Sequence, residues 1–212
     1  MKNILYILIL CSLFFSCKNN KTLTDVLNKS EFTNSEKQEV IKMVEFFESK
    51  IISSEANFKQ DYEAVVKSIV SEGGFEVIVN KIDINEQRKL IKSISNSTFN
   101  EIWEASKSRA YMSYSGVKFE EPIPYESLSV NTQGKYVRLL QKLSKNNKKI
   151  EYYTNAVLNS GDFPLFAYSY SLLFDYKENS NGDIRDGELR LIFALELLTI
   201  NENTHRHISL GE

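Results

Sequence analysis

The chain has 212 residues, with 26 basic and 28 acidic side chains and a net charge of −2. A mildly acidic balance with no large basic block argues against nucleic acid as a partner. The length suffices for one domain with a substantial core, with two small domains as the alternative, and the two cysteines leave stability to that core.

The chain opens MKNILYILILCSLFFSCKNNK. Lys2 is a short positive n-region, and residues 4–15 form an unbroken apolar run. A bilayer span needs about 20 residues, so the run is too short to cross and fits a secretory signal. Its end, Leu13-Phe14-Phe15-Ser16-Cys17, resembles the lipobox of bacterial lipoproteins. In that family the signal is cut before the cysteine, whose thiol and new amino group are then acylated. The resemblance implies a signal peptide at 1–16, a lipidated Cys17 carrying palmitate-type chains, and a membrane as partner. Several chains at about 0.8 kcal/mol per buried CH₂ give stable anchoring. Lys18 follows the cysteine where an inner-membrane lipoprotein often has Asp, so the analogy favours the periplasmic leaflet of the outer membrane. An ordinary signal peptide or an uncleaved anchor are the alternative readings. With Cys11 in the signal and Cys17 acylated, no thiol remains for a disulfide, a nucleophile or a zinc site.

Residues 17–32 read as a polar, lipidated tether, although Leu23, Val26 and Leu27 have the spacing to begin a short helix. The remainder, 33–212, reads as one helical domain with a possible subdivision near 111–132. Thr33-Asn34-Ser35-Glu36 fits a capping box and starts a helix to about residue 54, with Val40, Val44, Phe47 and Ile51 on one face. A second helix covers about 57–71 with Phe58, Tyr62, Val65, Val66 and Ile69 inward, broken by Gly73-Gly74. FEVIV at 75–79 is read as helix, because its neighbours are helical. Asp83 to Glu86 caps the next helix, which carries Leu90, Ile91 and Ile94. Asn96-Ser97-Thr98 is expected to cap one more, carrying Phe99, Ile102, Trp103 and reaching towards Ala110, with Trp103 as a core anchor.

The segment YMSYSGVKFEEPIPYESLSVNT at 111–132 breaks the pattern. It reads as a connection with a small β-hairpin near 111–121 around Gly116, or as a recognition loop presenting Tyr111, Tyr114 and Tyr125. Asn131-Thr132 is expected to cap a helix with Tyr136, Val137, Leu140 and Leu143 inward. Lys145 to Lys149 turns the chain, and Ile150, Tyr153, Val157 and Leu158 mark the following helix, stopped by Gly161. The expectation is an all-α fold, a compact bundle of seven to nine mostly antiparallel helices.

Residues 163–200 read as helix, polar loop and helix, the second arm being ELRLIFALELLTI. A helix apolar nearly all round must be buried. The loop resembles the EF-hand family. Gly182, Ile184 and Glu188 match the turn glycine, the inward apolar residue and the bidentate glutamate of that motif. Counting back from Gly182 puts Lys177 at the first ligand position, so Asp175 serves only in a loop two residues longer, with Asn179 and Asn181 between. The resemblance implies calcium held by Asp175, Asn179, Asn181, Asp183 and Glu188. An ordinary polar turn between two helices is the other reading.

Catalytic motifs are scarce. The two histidines, His205 and His207, fall in a polar tail that reads as solvated, and there is no Gly-rich phosphate loop and no HExxH. A carboxylate pair would draw on Glu101, Glu104, Glu120 and Glu121 near Trp103. The function expected is a lipid-anchored envelope module that binds another envelope protein, as an inhibitor, immunity-type or assembly factor. The alternative is a ligand- or calcium-binding module, with a carboxylate hydrolase third. Cys17→Ser is predicted to abolish lipidation and release the protein from the membrane. Labelled palmitate and fractionation check this, and an unlabelled wild-type protein overturns it.

Overall fold

The computed structural model describes residues 21–71, 76–110, 113–114, 117–118, 123–164 and 185–210. Its axis is helix α9, Gly187–Leu210, the last of the nine α-helices among those residues. Leu189 and every residue from 191 to 198 are at most 1% exposed. Such a helix has no face to offer solvent, so the rest of the chain wraps it: α1 (Leu23–Leu27), α2 (Asn34–Ile51), α4 (Glu76–Lys81), α5 (Ile84–Ser93) and a β-strand all pack on it.

Local chemistry starts these helices where the sequence predicts. Thr33 and Glu36 form the reciprocal capping box of α2, whose buried face is Val40, Met43, Val44, Phe47 and Ile51. A 3-10 turn at Glu55–Asn57 leads into α3, Phe58–Ser71, which buries Tyr62, Val65 and Ile69. The Tyr62 ring packs among Phe58, Phe47 and Phe193 at 5.2, 6.1 and 6.4 Å. Asp83 caps α5, accepting from the Asn85 and Glu86 N–H groups.

Several expectations are corrected. Residues 23–27 are not tether but a helix, capped by Thr22 and Asp25, with Leu23, Val26 and Leu27 buried. The helix after Ser95 is only α6, Asn96–Asn100, and Ser95 rather than Asn96 caps it. The chain then turns into strand β1, Trp103–Ala110, antiparallel to β4, Ile123–Val130, from Trp103↔Val130 to Ala110↔Ile123. The tip pairs β2, Ser113–Tyr114, with β3, Val117–Lys118. Segment 111–132 is thus one limb and the tip of a hairpin longer than expected, rooted in the core by Trp103, Leu128 and Val130. The start of α7, Lys135–Ser144, explains the break: Tyr136 N–H donates to Glu101 O and Asn131 N–H to Ile102 O, closing the hairpin root. Gly134, not Asn131-Thr132, caps α7. A Cβ at Gly134 would lie 2.3 Å from Glu101 O, so only glycine permits this crossing.

Helix α8, Lys148–Ser160, is capped by Asn147 and ends at Gly161, whose φ is +70°. Its inward face is Ile150, Tyr153, Thr154 and Val157, which leaves Leu158 exposed instead of inward. The polar tail is corrected as well: α9 continues through it to Leu210, and His205 is half-buried with Nδ1 2.9 Å from Asn201 O.

Two polar junctions lock the layers. At the first, Gly187 N–H donates to Lys21 O and Lys21 Nζ meets Glu188 at 2.8 Å. A Cβ at Gly187 would stand 2.5 Å from Leu23 N, so α1 docks only on a glycine. At the second, buried Glu36 of α2 takes hydrogen bonds from Lys135 Nζ (2.9 and 2.8 Å), Ser97 Oγ (2.6 Å) and Thr33 N–H (2.7 Å). Burial raises its pKa, but those donors outweigh burial and bring it from 4.5 down to about 2. The folded pKa lies below the unfolded one, so the stabilisation is complete above pH 4.5 and is lost as pH falls towards 2. Glu36→Gln is therefore expected to cost on the order of 2 kcal/mol at pH 7, with the deficit shrinking below pH 4.5. Urea titrations across that range read it directly, and a pH-independent deficit contradicts the assignment.

Candidate functional site

The wrapping of α5, α6 and β4 around α9 leaves an open cleft of about 340 Å³. Its apolar wall is Ile91, Phe99 and Leu128, and its rim is Arg88, Lys92, Arg206 and Glu202. Arg88, Ile91 and Lys92 stand at i, i+3 and i+4 on α5 and so share one face. Phe99 comes from α6 and is braced by Trp103, ring centroids 5.5 Å apart. Trp103 is itself pinned by its indole N–H, which donates to Thr199 Oγ1 at 2.8 Å.

Leu128 is set by an unusual partner. Its N–H donates to Asn203 Oδ1 at 2.8 Å, and Asn203 Nδ2 donates back to Leu128 O at 2.9 Å. The asparagine amide acts as a one-residue strand beside β4, which satisfies that edge and fixes the hairpin root to α9. The opposite wall is fixed by Gln87, which donates to Leu198 O at 2.9 Å and accepts from Asn201 Nδ2 at 2.9 Å.

Glu202 organises the charge. It is buried at 3% exposure, and Arg88 Nε meets both its oxygens at 3.1 and 3.2 Å. Arg88 Nη2 stands 3.1 Å from Oε1, and Arg206 Nε donates to the same oxygen at 2.9 Å. One carboxylate thus orients two guanidinium groups at the mouth of an apolar cleft. Among the described lining residues, three side chains are cationic and one, Glu202, is anionic. The arrangement offers charge and apolar surface, with the Glu202 carboxylate engaged by two arginines.

The site residues singled out from the sequence are not among the described residues that line the cleft. Cys17, Asp175, Asn179, Asn181, Asp183, Tyr111, Glu120 and Glu121 lie outside the described residues. Glu188, the expected bidentate calcium ligand, is buried with its carboxylate held by Lys21 Nζ. Among the described residues no group of three or more His, Cys, Asp or Glu side chains is placed to hold a metal ion. Tyr114 takes a position in β2, and Tyr125 pairs with Ser108 across the hairpin. Glu101 accepts from Lys135 N–H at 2.8 Å, while Glu104 is exposed, so neither is drawn into the cleft. Of the cleft residues, Ile91, Phe99 and the core position of Trp103 are legible in the sequence; Arg88, Lys92, Glu202 and Arg206 are missed. The i,i+4 spacing of Glu202 and Arg206 was a usable signal, hidden because the tail reads as solvated.

Comparison with protein families, with curated proteins and with solved structures returns no match for this chain. The cleft therefore stands on its own geometry. Glu202→Gln, which removes the charge both guanidiniums share, is expected to lower stability by about 2 kcal/mol. Denaturant unfolding measures this, and an unchanged midpoint would show that the triad orients the arginines without contributing to stability.

Proposed function

We propose that the protein is a lipid-anchored cell-envelope module that binds a small ligand in the cleft between α5, α6, β4 and α9. The observation that carries the reading is the cleft itself. Its volume of about 340 Å³ falls in the range of ligand sites, and it joins an apolar wall to a few convergent polar groups.

Anchoring rests on the lipobox resemblance and Cys17. Lys21, four residues after Cys17, is hydrogen-bonded to the body, and at about 3.5 Å per residue the chain between them spans at most roughly 14 Å. The body is accordingly held at the membrane surface, and the residue after the cysteine favours the outer membrane's periplasmic leaflet.

Amide chemical shifts of residues 18–212 during titration with a mixed library of small polar and apolar compounds provide the test. Perturbations are expected to cluster on 88–92, 99, 128 and 202–206. Perturbations that leave those residues unmoved overturn the reading.

A further inference from the structure

We propose that the ligand is a small, soluble organic monoanion: a carboxylate or sulfonate head on a compact apolar body. This inference rests on the binding reading above. The head group is argued from the rim. Among the described residues that line the cleft, Arg88, Lys92 and Arg206 are cationic and Glu202 is the carboxylate. Glu202 engages Arg88 through Nε and Nη2, which leaves the guanidinium's remaining N–H groups for an incoming acceptor. Lys92 is exposed one helical turn on, with no ion pair among the described residues. An anion seated between Arg88 and Lys92 gains two charge-assisted contacts beside a low-dielectric wall, where such contacts are strongest. A cationic ligand would meet the same field with the opposite sign.

The body is argued from the wall. Ile91, three residues after Arg88, flanks the two cations on α5 and lines the cleft, so apolar surface adjoins the head-group position. Phe99 and Leu128 continue it inward, and both are held by contacts outside the cleft, to Trp103 and Asn203. The wall is therefore formed before the ligand arrives, which lowers the ordering cost of binding.

Size and placement point to a soluble molecule. A volume of about 340 Å³ is at the small end of ligand sites, too little for a two-chain lipid. The cleft also sits far along α9 from the anchored end. Gly187 is fastened to Lys21, whereas Glu202 is roughly 22 Å further along the helix at 1.5 Å per residue.

The test uses residues 18–212 and two fluorescent probes of one shape: the sulfonate 8-anilinonaphthalene-1-sulfonate and neutral N-phenyl-1-naphthylamine. The anionic probe is expected to bind at least tenfold more tightly. Decanoate is expected to displace it, and decanol at equal concentration is not. Lys92→Glu is expected to weaken the anionic probe at least tenfold, and more than the neutral one. Ile91→Trp, which fills the cleft from its half-buried rim, is expected to exclude both. Equal affinity for the two probes, or an anionic affinity indifferent to Lys92→Glu, overturns the inference and leaves the cleft as a neutral site. Probes that stay bound in folded Ile91→Trp sit elsewhere, which removes the binding reading itself. Phosphatidylglycerol vesicles that displace the anionic probe as well as decanoate does would transfer the ligand to the bilayer and overturn its soluble character.

Discussion

The structure depends on burying α9 on every side. A helix with Leu, Ile, Phe and Ala around its whole circumference imposes no rotation of its own, because any face packs as well as another. What orients it is the polar minority. Arg190 forms a two-point pair with Glu48 of α2, both contacts at 2.6 Å. Thr199 receives the Trp103 indole, Asn201 meets Gln87 and Ile82 O, Asn203 caps β4, and Glu202 gathers two arginines. Each group would be costly to leave unsatisfied in such surroundings, so each admits one neighbour in one register. The apolar residues supply the driving force, and the polar ones choose the arrangement.

The core of α9 also carries groups held in one protonation state. Tyr153 and Tyr136 are buried beside Glu196, and Tyr153 O–H donates to that carboxylate at 3.3 Å. Burial, then the negative charge of Glu196, pushes both phenols far above their ordinary range. Tyr62 behaves alike beside Glu48. The Tyr62 and Tyr153 hydroxyls act as fixed donors throughout the biological pH range, tying α3 and α8 to the central helices.

Legibility from sequence followed the distance over which each signal acts. Capping chemistry is local, so Thr33 with Glu36 and Asp83 with its following amides marked helix starts correctly. The all-round apolar run marked the central helix. Strand β1 does not show itself, because WEASKSRA has little alternation and its one large apolar residue, Trp103, stands at its start. Its conformation comes from a partner twenty residues away and from the crossing at Gly134, neither of which a local pattern reports. The stretch after Ile200, where the sequence suggests that the helix ends, escapes notice for the complementary reason. Its residues are polar, yet Asn201, Glu202 and Asn203 have partners on α5 and β4, so they continue a buried helix. With it go Glu202 and Arg206, two charged residues of the cleft that owe their role to packing and not to a motif.

The junction at Lys21 has a mechanical meaning. The first residues of the packed body do not join its periphery; they are hydrogen-bonded to the opening turn of the central helix, over a glycine that brings the two backbones into contact. Any tension in the chain ahead of Lys21 is delivered straight to that turn. Three buried side chains of α1, Leu23, Val26 and Leu27, then resist it together with the Glu188 pair. A pull at this end loads the axis of the molecule before its outer helices, so the domain behaves under force as a body hung from its own mast.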